Sequence, residues 1–118
     1  MKLIDKQKLF SRLVADLIAG IYAMKLSCTL GDAYRDPRVH GKYGEKKYYS
    51  ASKSNHKIRL ALDVNLFDED GNYISDGDHP AYKRVGEFWK SRHELCEWGG
   101  DEGREDANHF SLNHEGRW

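Results

Sequence analysis

Apolar residues recur at helical spacing near the start of the chain: Leu9, Phe10, Leu13, Val14, Leu17, Ile18, Ile21 and Tyr22 fall on one face. The pattern predicts an amphipathic helix with Asp5 as its N-cap, and Gly20 inside it costs roughly 1 kcal/mol relative to Ala. Lys25 to Leu30 reads as a short strand ending at Gly31. Gly31 to Asn55 has little periodicity and carries Tyr34, Tyr43, Tyr48 and Tyr49. A stretch of that length without regular structure is expected to line a binding site, with room for a short helix that the pattern does not place. Ile58, Leu60, Leu62, Val64 and Leu66 then alternate strictly, the signature of a half-buried strand. Arg59, Ala61, Asp63 and Asn65 share its other face, so Asp63 projects away from the core. His56 has core-facing parity and is therefore expected in the loop before the ladder begins. Phe67 to Ile74 predicts a hairpin turned at Asp70-Gly71. Pro80 opens a helix with Tyr82, Val85, Phe88 and Trp89 on one face. His109 to Leu112 reads as a last short strand, and the final six residues as a surface tail.

At 118 residues the chain is expected to be one domain, 1–118, with a single modest core. Nineteen basic and nineteen acidic residues cancel, so net charge does not point to nucleic acid. The distribution is uneven: Tyr34 to Arg59 holds eight Lys or Arg against two acids, and Asp63 to Asp78 holds six acids with no Lys or Arg. A basic stretch leading into a site attracts an anionic substrate, although solvated loop charge gives the same pattern. Cys28 and Cys96 are too few for a disulfide framework and suit no cysteine-based zinc motif. Free thiols in a reducing compartment are the expectation, and a bridge is open if the protein ends up outside the cytoplasm. Lys2, Lys6, Lys8 and Arg12 precede an apolar run, but Asp16 interrupts it and no small-x-small cleavage site follows. A protein without an export signal or membrane insertion is expected, since no stretch approaches the roughly 18 apolar residues of a spanning helix.

Candidate chemistry centres on Ser54-Asn55-His56 through Asp63, answered by Asp106-Ala107-Asn108-His109-Phe110. His56, Asp63 and His109 make a plausible set of ligands for one zinc ion, and three protein ligands leave a coordination position open, as in catalytic sites. Asp106, three residues before the last ligand, is a carboxylate held beside the metal. Arg35, just past a strand end, can bind a carboxylate through two parallel hydrogen bonds. Tyr34, Trp98 and the tyrosine-rich loop are candidates to line the cleft. Other patterns are weaker. Asp76-Gly77-Asp78-His79 repeats Asp-x-x-His but falls between a hairpin and a helix start. Asp68 onward lacks the sixth-position glycine of a calcium loop, carrying Tyr73 there. His93-Glu94-Leu95-Cys96-Glu97 lacks the second histidine of a metalloprotease helix. A nuclease has no paired metal-carboxylate pattern behind it, and His40, His93 and His114 are expected at the surface.

Taken as a set, Ser54-x-His56, Ala61-x-Asp63, Trp98-Gly99-Gly100-Asp101 and Asp106-x-x-His109-Phe110 resemble the zinc D-alanyl-D-alanine carboxypeptidase and L-alanyl-D-glutamate endopeptidase family. Gln7, Phe10 and Thr29 to Arg35 are similar to its short phage endolysin branch. The resemblance implies an α+β fold of hedgehog/DD-peptidase type, a small antiparallel sheet packed with two to three helices around a single zinc site. It implies His56, Asp63 and His109 as ligands, Asp106 as the catalytic carboxylate, Arg35 as substrate contact and oxyanion stabiliser, and Ser54 as a residue beside the first ligand. It further implies a monomeric peptidase acting on the stem peptide of bacterial peptidoglycan, at the L-Ala-D-Glu or the D-Ala-D-Ala bond. Such a lysis enzyme accumulates in the host cytoplasm and meets the wall after the membrane is opened. Two departures stand out: Arg59 occupies a position where many members carry Gly, and Gly41 to Ser52 does not match. The reading from another class is a non-catalytic zinc or wall-binding module, which requires a fourth protein ligand such as His79 or His93.

Overall fold

The computed structural model describes residues 1–46 and 51–118; Tyr48 and Tyr49 lie outside the described residues. Among these, the chain runs α1 (Leu3–Ala23), β1 (Ser27–Leu30), α2 (Pro37–His40), a 3₁₀ turn (Asn55–Ile58), β2 (Ala61–Phe67), α3 (Pro80–Lys90), β3 (Cys96–Trp98) and β4 (His109–Leu112). The strands form one antiparallel sheet in the order β1-β2-β4-β3. With α1 and α3 packed together and against it, the architecture is the expected α+β.

The apolar face of α1 buries Phe10, Leu13, Leu17 and Ile21. Asp5 is not its cap: the helix begins two residues earlier, after Lys2, which makes no side-chain cap bond. Asp5 instead sits in the first turn, where a negative charge suits the helix dipole. Lys25 adopts a left-handed φ of 62°, which turns the chain and delays β1 to Ser27. Gly20 has a packing reason: a Cβ there would overlap the Phe88 ring of α3. The α1–α3 contact thus needs the glycine that helix propensity alone disfavours. On α3, Tyr82, Val85 and Trp89 are buried and Phe88 is half-buried. Trp89 lies edge-on to Phe10 and Phe110 at 5.9 and 6.4 Å, while its Nε1 donates to the carbonyls of Glu97 and Ser111.

Central strand β2 has the expected parity, with Leu62, Val64 and Leu66 buried and Asp63 and Asn65 half-buried. It starts at Ala61 rather than Ile58 because Arg59 is left-handed (φ 56°, ψ 38°) and closes the 3₁₀ turn. The hairpin expected after β2 is present as a turn, with Gly71 N donating to Asp68 O and Phe67 bridging to Tyr73. The Tyr82 hydroxyl fastens it, donating to Ile74 O and accepting from Leu66 N.

Two surface expectations are corrected. His40 is buried at the end of α2, whose start is capped by Asp36. Residues 113–118 are no loose tail: His114 and Arg117 bridge through their backbones, and the buried Asn55 donates from Nδ2 to the carbonyls of Leu112 and Arg117. The turn therefore folds back onto the sheet beside the 3₁₀ turn.

Candidate metal centre

Three side chains from three places in the sequence meet at one end of the β2–β4 pair. Asp63 and His109 are direct cross-strand partners, so both project from the same face of the sheet. His56 reaches them from the 3₁₀ turn, outside the ladder as its parity requires. Ser54 starts that turn, its Oγ accepting from the His56 backbone N at 3.2 Å. His56 Nε2 lies 3.3 Å and His109 Nδ1 3.6 Å from Asp63 Oδ1. Candidate donor atoms of all three residues lie within 4.8 Å of one another, and among the described residues no other group of three or more His, Cys, Asp or Glu does so.

The donor set fits a metal ion. His56 Nε2 and Asp63 Oδ1 are buried and have no hydrogen-bond partner among the described residues. Buried polar atoms left without partners are costly, on the order of 1–3 kcal/mol each, and an ion satisfies them together. Tetrahedral zinc with bonds of about 2.0–2.2 Å to nitrogen and oxygen sets its donors roughly 3.3–3.5 Å apart, close to the two separations here. Burial works to raise the Asp63 carboxyl, but the two facing imidazoles outweigh it and hold the group below the usual carboxylate range. It is thus a ready anionic ligand.

Asp106 stands beside the group and outside it, its Oδ2 3.8 Å from His109 Nδ1 and its side chain about half exposed. Burial raises its carboxyl above the usual range and the Asp63 charge adds to that, against opposing charges on His109, His56 and Arg35. A carboxylate shifted toward neutrality is suited to exchanging protons. Its position depends on Gly99, whose N donates to His109 O and whose O accepts from Asp106 N, both at 2.8 Å. A Cβ at Gly99 would overlap the Asp106 carbonyl, so only glycine lets the loop lie this close to β4.

Arg35 completes the constellation. Its Nη1 donates to Ser54 Oγ at 3.1 Å, its Nε donates to Asp32 at 3.2 Å, and Nη2 lies 4.0 Å from Asp63 Oδ2. Arg35, Ser54, His56, Asp106 and His109 all line one cleft of about 340 Å³, joined by Lys53 and Arg117.

The structure moves two expected cleft residues elsewhere. Trp98 is buried, its Nε1 donating to Ala107 O at 2.7 Å, so it supports the Asp106 loop from beneath. Tyr34 lines a separate apolar groove with Ile4, Phe10 and Leu62, under the Arg59 guanidinium at 4.0 Å from its ring centroid. Both misplacements have one cause: an aromatic near a motif in sequence says nothing of which side of the sheet it reaches. Trp118, expected in a surface tail, does line the cleft. His79 and His93 stand outside the metal group, each using Nδ1 to accept a local backbone N–H, from Ala81 and Leu95 respectively. The fourth ligand required by a purely structural zinc site is therefore not among these two.

A family model described as D-alanyl-D-alanine carboxypeptidase matches residues 49–112, just over half of the chain, spanning the three candidate ligands and Asp106. The chain belongs to this family of metallopeptidases. Among curated proteins, none matches it at a significant level. Arg59, inside the matched stretch, takes the left-handed conformation that glycine adopts without strain. No helix of the described residues is long and apolar enough to cross a membrane.

Proposed function

We propose that this chain is a zinc-dependent peptidoglycan peptidase that hydrolyses a stem-peptide amide bond, the L-Ala-D-Glu bond first. The observation that carries the reading is the convergence of His56, Asp63 and His109 into one group, with His56, His109 and a separate carboxylate, Asp106, lining a single cleft. His56, Asp63 and His109 hold the ion. Zinc, when bound, supplies Lewis-acid polarisation of a water molecule and of the scissile carbonyl. Asp106 is the general base: it accepts a proton from the attacking water and passes it to the leaving amine as the C–O bond forms and the C–N bond breaks. Arg35, steadied by Asp32 and Ser54, offsets the negative charge that develops on the carbonyl oxygen. Lys53 and Arg117 line the same cleft, so its cationic wall suits a peptide bearing free carboxylates.

The second reading, a D-Ala-D-Ala carboxypeptidase, is favoured by the description of the matching family model and uses the same residues. An endolysin role, with synthesis in a host cytoplasm and access to the wall after membrane opening, is supported by the likeness of Thr29 to Arg35 to that branch. Mass spectrometry of fragments released from purified peptidoglycan tests all of these. Freed stem peptides with an N-terminal D-Glu are expected; released D-alanine alone selects the carboxypeptidase, and intact walls with zinc-loaded protein rule out both.

A further inference from the structure

One wall of the cleft comes from residues 113–118, beyond the part of the chain that the family model matches. This segment is built in. Besides the Asn55 tether and the His114–Arg117 bridge, Gly116 N donates to Asn113 Oδ1 at 3.2 Å, and Lys6 Nζ lies 3.1 Å from His114 Nδ1. The result is a fixed position for Trp118. Its indole stands edge-on to His109, with ring centroids 5.5 Å apart at 83°. The Arg104 guanidinium lies 4.4 Å from its centroid, and Arg104 is itself anchored by donating to Glu97 Oε2 and Trp98 O, both at 3.0 Å. Trp118 is nevertheless 37% exposed, whereas Trp89 and Trp98 are buried at 0% and 5%. A large aromatic clamped on two sides and left open on the cleft has little freedom to lose when a ligand arrives.

We propose that Trp118 is a substrate-binding residue of the metal cleft, its indole the apolar platform for a small aliphatic side chain of a peptide whose carboxylate faces Arg35, Lys53 and Arg117. Arg104 is a positioning residue acting through it. The proposal rests on the peptidase reading for its substrate class but has a readout that needs no turnover.

The test uses the full chain with zinc and a soluble stem pentapeptide. Trp118→Ala is expected to raise KM about tenfold, the scale of one lost aromatic contact, with kcat changed by less than about twofold. Trp118→Phe should recover most of the loss, and zinc content should be equal in all three proteins. In zinc-loaded Asp106→Ala, acrylamide reaches Trp118 far more readily than the two buried tryptophans, so added pentapeptide is expected to shield the fluorescence from quenching. Adding Trp118→Phe to that background should remove the shielding. An unchanged KM in Trp118→Ala, a loss confined to kcat, or quenching that the pentapeptide leaves untouched overturns the proposal. Shielding without any cleavage by the wild-type protein leaves the platform standing and removes the peptidase reading; cleavage with neither a KM change nor shielding does the reverse.

Discussion

In the proposed mechanism, holding the ion and moving the proton fall to different side chains. His56→Ala or His109→Ala removes one of three donors from a buried group, so each variant is expected to lose stoichiometric zinc by metal analysis and wall-lytic activity with it. Asp106→Ala should retain zinc and lose about 10²–10⁴-fold in kcat, the usual reach of general acid–base catalysis. Arg59 offers a backbone test of a different kind. Its left-handed conformation costs a non-glycine residue roughly 1–2 kcal/mol, and stacking on Tyr34 returns about 0.5–1 kcal/mol. Arg59→Ala keeps the strain and loses the stacking, so Arg59→Gly is expected to be the more stable variant by about 1 kcal/mol in urea unfolding. Cys96 is a bystander: burial pushes its thiol up to about 12, so it should resist thiol reagents near neutral pH until the protein unfolds.

Among the elements, the α1–α3 contact makes the sharpest prediction. Ala for Gly20 gains helix propensity of roughly 1 kcal/mol, yet the new methyl would collide with the Phe88 ring. Overpacking costs typically about 1–3 kcal/mol, so Gly20→Ala is expected to lower stability, while Gly20→Ala with Phe88→Leu should recover it. The same contact shows what could be read beforehand. The helices α1 and α3 and the parity of β2 were legible because each follows from spacing within one stretch, and that parity correctly sent Asp63 off the core and His56 off the ladder. The three residues that meet in the candidate metal group were legible as a set of motifs. The unforeseen features depend on what a distant segment does. Phe88 explains Gly20, Asn55 pulls in the last turn, and Trp98 supports a loop rather than facing the cleft. Strand β1 began late for a local reason that hydropathy does not encode, the left-handed Lys25.

For the molecule as a whole, a metal held by this group would be linked to the fold. Zinc at about a hundred times its dissociation constant is expected to add about 2.7 kcal/mol of stability, which for a chain of this size would raise Tm by roughly 10 °C. Chelation should reverse that shift in a thermal melt, and zinc should leave His109→Ala nearly unaffected. In the metal-free protein, the Asp63 carboxyl titrates below its unfolded value. Its stabilising contribution is therefore full above the ordinary carboxylate range and disappears as pH falls through the folded value. Asp63→Asn is expected to flatten that acid limb in metal-free melts; an unchanged limb would assign it to other carboxylates.

Asp63 and His109 sit directly opposite each other on β2 and β4. Sliding either strand by a single residue would turn its donor through the sheet to the apolar side, and the pair could no longer grip anything in common. A cation held by both would therefore audit the alignment of two strands that lie far apart in the chain. Substitutions that loosen the pairing, at Ala61 or Ser111 for instance, should impair refolding most when the metal is withheld, although neither side chain belongs to the donor set.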